Sequence, residues 1–131
     1  MADSMKVLIF GAREWQDWVI MRRVLSKLPP DTILVNGKAK GADIMSSDLG
    51  HELGFEIREY PVTDDDWTEH GKAAGVFRNA RMLESEHPDS QGVLVDKAFG
   101  FSTGRHNRGT SDMADRLWRA RVRFEIFFPL V

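Results

Sequence analysis

Apolar residues come in short blocks, and the spacing within the blocks changes along the chain. Met5-Lys6-Val7-Leu8-Ile9-Phe10 is a compact apolar run that ends at Gly11 and reads as a buried strand. From there the apolar positions fall at Trp15, Trp18, Val19, Met21, Val24, Leu25 and Leu28. That spacing marks one face of a helix over 15–28, stopped by Pro29-Pro30-Asp31. Ile33-Leu34-Val35 is a second strand, broken at Asn36-Gly37. Residues 42–53 read as a second helix with Gly54 as its C-terminal cap. Phe55 to Tyr60 alternates as a third strand and ends at Pro61. The acidic stretch Thr63-Asp64-Asp65-Asp66-Trp67 reads as a loop, and a helix is expected over much of 70–86, before His87-Pro88. A fourth strand is expected from Gly92 to about Phe99, then a glycine-rich loop from Gly100 to Gly109. A helix near 110–121 and a strand over 122–128 close the series.

Strand and helix alternate from end to end, without repeats or linkers. That order predicts one α/β domain over 1–131, a Rossmann-like three-layer α/β/α sandwich around a mostly parallel sheet of about five strands. In such sheets the strand-to-helix loops share one edge, and ligands bind there, at the carboxyl ends of the strands.

Composition narrows the classes. The 131 residues are 42% hydrophobic and 29% charged, a globular balance. A net charge of −2 argues against a protein that coats nucleic acid, so nucleic acid is not the expected partner. No cysteine is present, which excludes disulfides and thiolate metal sites. No apolar run approaches the roughly 20 residues of a membrane span, and the N-terminus lacks a signal-type core, so a cytoplasmic protein is expected.

Against that acidic balance, Arg13, Lys38, Lys40, Arg78, Arg105 and Arg108 all fall near the ligand edge. Glycines accompany them at Gly11, Gly37, Gly41, Gly104 and Gly109. Glycine lets backbone approach a ligand, and helix N-termini offer N–H groups to anions. The combination favours a phosphorylated small molecule. The loop at 37–41 has neither the GxxxxGK[ST] spacing of a P-loop nor a GxGxxG fingerprint. It reads equally as a flexible turn with solvated lysines. Asp43 either caps the next helix or meets a sugar hydroxyl, and Thr110 and Ser111 either cap a helix or bind phosphate oxygens. Trp67 either stacks on a base or anchors its segment to the core. Asp64, Asp65 and Asp66 leave open Mg²⁺ accompanying a nucleotide. His51, His70, His87 and His106 have no ligand spacing, so no structural metal is expected.

Four segments in order, GAREW, NGKAKGAD, DDDWTEHGKAAGVFRNARML and GRHNRGTSDM, resemble the YspA-like, YpsA-related branch of the SLOG superfamily over about residues 7 to 128. The superfamily also holds the Lonely Guy phosphoribohydrolases and the DNA-processing protein DprA. The resemblance implies a domain that binds a nucleotide or nucleotide-derived ligand. Gly109-Thr110 is similar to the end of the superfamily's phosphate loop, and Arg78 with Met82 to the Arg and Met of the Lonely Guy RKxxM motif. Under this resemblance Gly11, Arg13, Gly37, Lys38, Gly41, Asp43, Trp67, Arg78, Asn79, Gly104, Arg105, Arg108, Gly109, Thr110 and Ser111 contact the ligand. A hydrolase version would use Arg78 and a carboxylate at Asp112 or Asp66 to cleave an N-glycosidic or phosphate bond. Here the PGG of the phosphate loop is absent and Gly104-Arg105-His106-Asn107-Arg108 stands in its place, which favours a binder, a sensor or sequestering protein, over a phosphoribohydrolase. Relatives in the superfamily often self-associate. With Trp15, Trp18 and Trp118 as surplus aromatic bulk, a homodimer or higher homo-oligomer is also expected.

Overall fold

A strand buried on both faces has no polar side to show, and the first two strands are apolar over residues 7–10 and 33–35. The computed structural model describes residues 4–85, 95–104 and 108–130. Its strands are β1 (Lys6–Gly11), β2 (Ile33–Asn36), β3 (Glu56–Glu59), β4 (Lys97–Phe101) and β5 (Phe124–Phe127). Its helices are α1 (Trp18–Leu25), α2 (Ala42–Leu53), α3 (Asp64–His70), α4 (Ala74–Ser85) and α5 (Arg108–Arg119), with a 3₁₀ turn at Gly71–Ala73. The strands form one five-stranded sheet in the order β3-β2-β1-β4-β5, with every pair parallel. The expected Rossmann-like α/β architecture is therefore present, with an entirely parallel sheet.

Alternation along the central strand sorts the core into two layers. Val7 and Ile9 point to one face, where Met21 and Leu25 of α1 and Met45 and Leu49 of α2 cover them. Leu8 and Phe10 point to the other, against Met82 and Leu83 of α4 and Met113 and Leu117 of α5. Each fully buried side chain of this size stabilises the fold by about 1.5–3 kcal/mol relative to exposure. Trp15 belongs to the first core, edge-on to Phe101 at 5.1 Å between ring centroids, whereas Trp18 and Trp118 are exposed. No helix among the described residues is long and apolar enough to cross a membrane.

Several boundaries differ from the sequence expectation, three of them for a visible reason. The first helix starts at Trp18, because the Asp17 side chain accepts from the Ile20 N–H and caps it there. The acidic stretch is α3 and not a loop. The Thr63 hydroxyl accepts from the Asp66 N–H at 3.1 Å, the Asp66 carboxylate accepts from the Thr63 N–H at 2.8 Å, and the three aspartates stand at the end that favours negative charge. The fourth strand begins at Lys97; Gly92, Val93 and Leu94, where it was expected to begin, lie outside the described residues.

Candidate functional site

One close crossing of backbone shapes the ligand edge. The Ala12 carbonyl, just past β1, accepts the Ala42 N–H of α2 at 3.1 Å, so the loops after β1 and β2 are pressed together. Gly41 makes that contact possible with φ of 92°, since a Cβ there would overlap the carbonyl oxygens of Ala12 and Arg13. Beyond the crossing, a cleft of about 550 Å³ opens over the carboxyl ends of the first three strands. Its walls come from the loops after β1, β2 and β3, from α3 and α4, and from the start of α5.

The loop after β2 is organised from inside. Asn36 is buried, and its Nδ2 donates to the hydroxyls of Ser46 and Ser47 at 3.1 and 2.8 Å. Its Oδ1 accepts the Lys38 N–H at 2.8 Å, which helps hold Lys38 at a left-handed φ of 53°. Asp43, 6% exposed, accepts the N–H groups of Gly37 and Ala39 at 3.1 and 3.3 Å. Three consecutive amides, of Gly37, Lys38 and Ala39, are thus satisfied within the protein. These three N–H groups are engaged by the Asp43 carboxylate and the Asn36 side-chain amide. Asp43 is not the N-cap of α2 either; that position is Gly41, with no side-chain bond.

Arg78 closes the loop from the opposite side. It is buried, its Nη1 donates to the Gly37 carbonyl at 2.5 Å and the Tyr60 carbonyl at 3.4 Å, and its Nε donates to the Asn79 side chain at 3.1 Å. A Cβ at Gly37 would sit 2.5 Å from the guanidinium carbon, so the guanidinium keeps this position only while residue 37 is glycine. Among the described residues Nη2 makes no hydrogen bond. Burial draws the Arg78 pKa down from its usual value and the facing Asp43 charge holds it up. Asp43 is the mirror case. Burial pushes its carboxyl up to about 6, against the opposing pull of the Ala39 N–H, Arg78 and the Gly37 N–H.

A pH dependence follows. Between the ordinary Asp value and about 6, the folded chain holds a proton on Asp43 that the unfolded chain has lost. Asp43 therefore favours folding most below its unfolded value, and that contribution is lost as pH rises through 6. Urea unfolding across pH 4.5–7 should show this slope in the native chain and not in Asp43→Asn. An identical slope in both would assign it elsewhere.

Of the residues expected at the site, the cleft brings together Gly11, Arg13, Gly37, Lys38, Asp43, Trp67, Arg78, Asn79, Arg108, Gly109 and Thr110. Gly41, Gly104, Ser111 and Asp112 are not among its lining residues, and Arg105 lies outside the described residues. Asp112 accepts from Asn79 Nδ2 at 3.0 Å and from Arg116 Nε at 2.8 Å, a link that fastens α5 to α4. Asp66 accepts from Arg81 Nη1 through both oxygens, at 2.7 and 2.9 Å, and Arg81 holds its carboxyl down at about 2. It is engaged in holding α3 to α4. Lys72, Pro61, Val62 and Val76 also line the cleft and were not expected there. Lys72 had a signal, a lysine following a glycine in the segment after the third strand; the apolar trio had none.

No family model matches the chain. The chain is 34% identical over 110 residues to the Gene 61 protein of Mycobacterium phage D29, an alignment that covers 76% of this chain and 78% of the phage protein.

Proposed function

The chain belongs to the family of that phage protein, and from the cleft we propose that it binds a nucleotide or nucleotide-derived phosphorylated ligand, as a sensor or sequestering protein. The observation that carries this reading is Arg78. A buried guanidinium, anchored by two backbone carbonyls and one side-chain amide, presents a remaining edge to a cleft at the carboxyl ends of parallel strands. Arg13, Lys38, Lys72 and Arg108 line the same cleft and suit the phosphate. The start of α5, Arg108 to Thr110, lines the same cleft, at the helix end that favours an anion. Trp67 is 51% exposed on the rim beside Pro61 and Val62, a surface on which a base can stack. The resemblance of the motif series to the SLOG superfamily supports the same reading.

A hydrolase reading has one observation in its favour. Asp43 is the one carboxylate among the lining residues, and a carboxyl brought to about 6 suits proton transfer near neutral pH. That version would give the carboxylate role to Asp43 in place of Asp112 or Asp66. Native mass spectrometry of the purified chain with a panel of nucleotides, followed by chromatography of the mixtures, separates the two. Retention of an intact nucleotide is expected. Release of base or phosphate would replace the binder with an enzyme, and no retention by any nucleotide would sink the reading.

A further inference from the structure

The charges of the cleft exceed what one phosphate needs. Among the described residues five cationic side chains line it, Arg13, Lys38, Lys72, Arg78 and Arg108, against a single carboxylate, Asp43. Arg78 faces Asp43, and Lys38 Nζ lies 3.8 Å from Glu59. Arg13, Lys72 and Arg108 make no ion pair among the described residues. These three stand on three separate elements: the loop after β1, the 3₁₀ turn, and the first residue of α5. The positive charge of the lining is therefore supplied by several elements, and Arg13 lies close enough to Arg78 to help burial draw its pKa down. Like charges held around a low-dielectric concavity concentrate field there, and an anion spanning them relieves their repulsion. A divalent cation finds little to bind. Asp43 already accepts two amides, Asp66 is taken by Arg81, and no group of three or more His, Cys, Asp or Glu side chains among the described residues is placed to hold a metal ion. Magnesium carried on a phosphate chain would bring its two positive charges into this lining.

We propose that the cleft takes an extended phosphate chain, a di- or triphosphate, in its metal-free form, with the cations on these separate elements doing the charge neutralisation that Mg²⁺ does elsewhere. This rests on the phosphate-ligand reading above. A nucleoside polyphosphate and an inorganic polyphosphate share this chemistry, so both belong in the test.

Isothermal titration of the full chain in EDTA at low salt, with orthophosphate, pyrophosphate, tripolyphosphate, a nucleoside monophosphate and the matching triphosphate, reads the effect directly. Affinity is expected to rise at least tenfold from orthophosphate to tripolyphosphate and to fall several-fold when Mg²⁺ is in excess. The double variant Lys72→Ala, Arg108→Ala should lose that increment while its circular dichroism and melting stay as they were. A nucleoside triphosphate tighter than tripolyphosphate supports the proposal and assigns the chain to a nucleotide; equal affinities support it and assign an inorganic chain. A nucleoside monophosphate as tight as its triphosphate, or binding strengthened by Mg²⁺, overturns the proposal and leaves the phosphate site standing. No binding by any of the five overturns both.

Discussion

Gly41→Ala is expected to lower folding stability by about 3–5 kcal/mol, the sum of a backbone conformation reserved for glycine and an overlap that neither neighbour can relieve. The φ of 92° with ψ of −122° lies outside the regions an alanine adopts. The added carbon would meet two carbonyl oxygens, those of Ala12 and Arg13, and not the movable end of a side chain. Backing away would break the Ala42 to Ala12 hydrogen bond that fixes the start of α2 against the end of β1. Gly54→Ala is the control. Gly54 also has positive φ, 86°, but nothing lies within 4 Å of its missing side chain, so it should cost only about 1 kcal/mol. Urea denaturation of both variants decides the matter. Equal losses would mean that the two loops are not pressed together at Gly41.

Arg78→Ala is expected to weaken phosphate-ligand binding roughly ten- to hundredfold, the effect of losing a charge-assisted bond of about 1.5–3 kcal/mol. Folding complicates the measurement. Removing the guanidinium takes away the cation that faces Asp43 and the donor to the Gly37 carbonyl, so a loss of stability accompanies it. Binding should therefore be measured in the background of Asp43→Asn, which no longer needs a counter-charge, by comparing that variant with its Arg78→Ala double. Affinity that drops in the double at unchanged stability assigns Arg78 to the ligand. Affinity that stays the same would make Arg78 a brace for the loop alone.

The sheet was legible because β1, β2 and β4 carry apolar blocks of the right length and β3 alternates, separated by helices of regular spacing and punctuated by Gly and Pro. The acidic helix α3 was not. Asp64, Asp65 and Asp66 are poor interior helix residues, and their effect depends on standing at the first turn behind the Thr63 cap. The threonine three residues before Asp66 was the available signal. At the site, the glycines and basic residues marked the correct edge because topology carries every strand-to-helix loop there. The sequence did not disclose which polar atoms were already satisfied. Asp43 belongs as much to the loop that it stabilises as to any ligand, since Gly37, Ala39 and Arg78 converge on it through folding that no local spacing encodes. Asp112 stood where the motif comparison expected a carboxylate, but Arg116 one turn later and Asn79 from α4 hold it.

The strand order also governs when the site comes into being. β1 lies at the centre of the sheet, and on one side it pairs with β2, which follows it closely. On the other side it pairs with β4, and the Lys6 N–H reaches Asp96, 90 positions along the chain. Contacts so distant in sequence form late and slow the search for the native state. During synthesis, β1, β2 and β3 emerge first and can join while the far edge of β1 remains open and apolar. Arg13 and Lys38 are in place at that stage, whereas Arg108 waits for α5, beyond Phe101. A nascent chain halted before Phe101 has most of the cleft wall but lacks Arg108, Gly109, Thr110 and Met113, and its central strand is paired on one side only, so the last wall of the cleft arrives with the finished molecule.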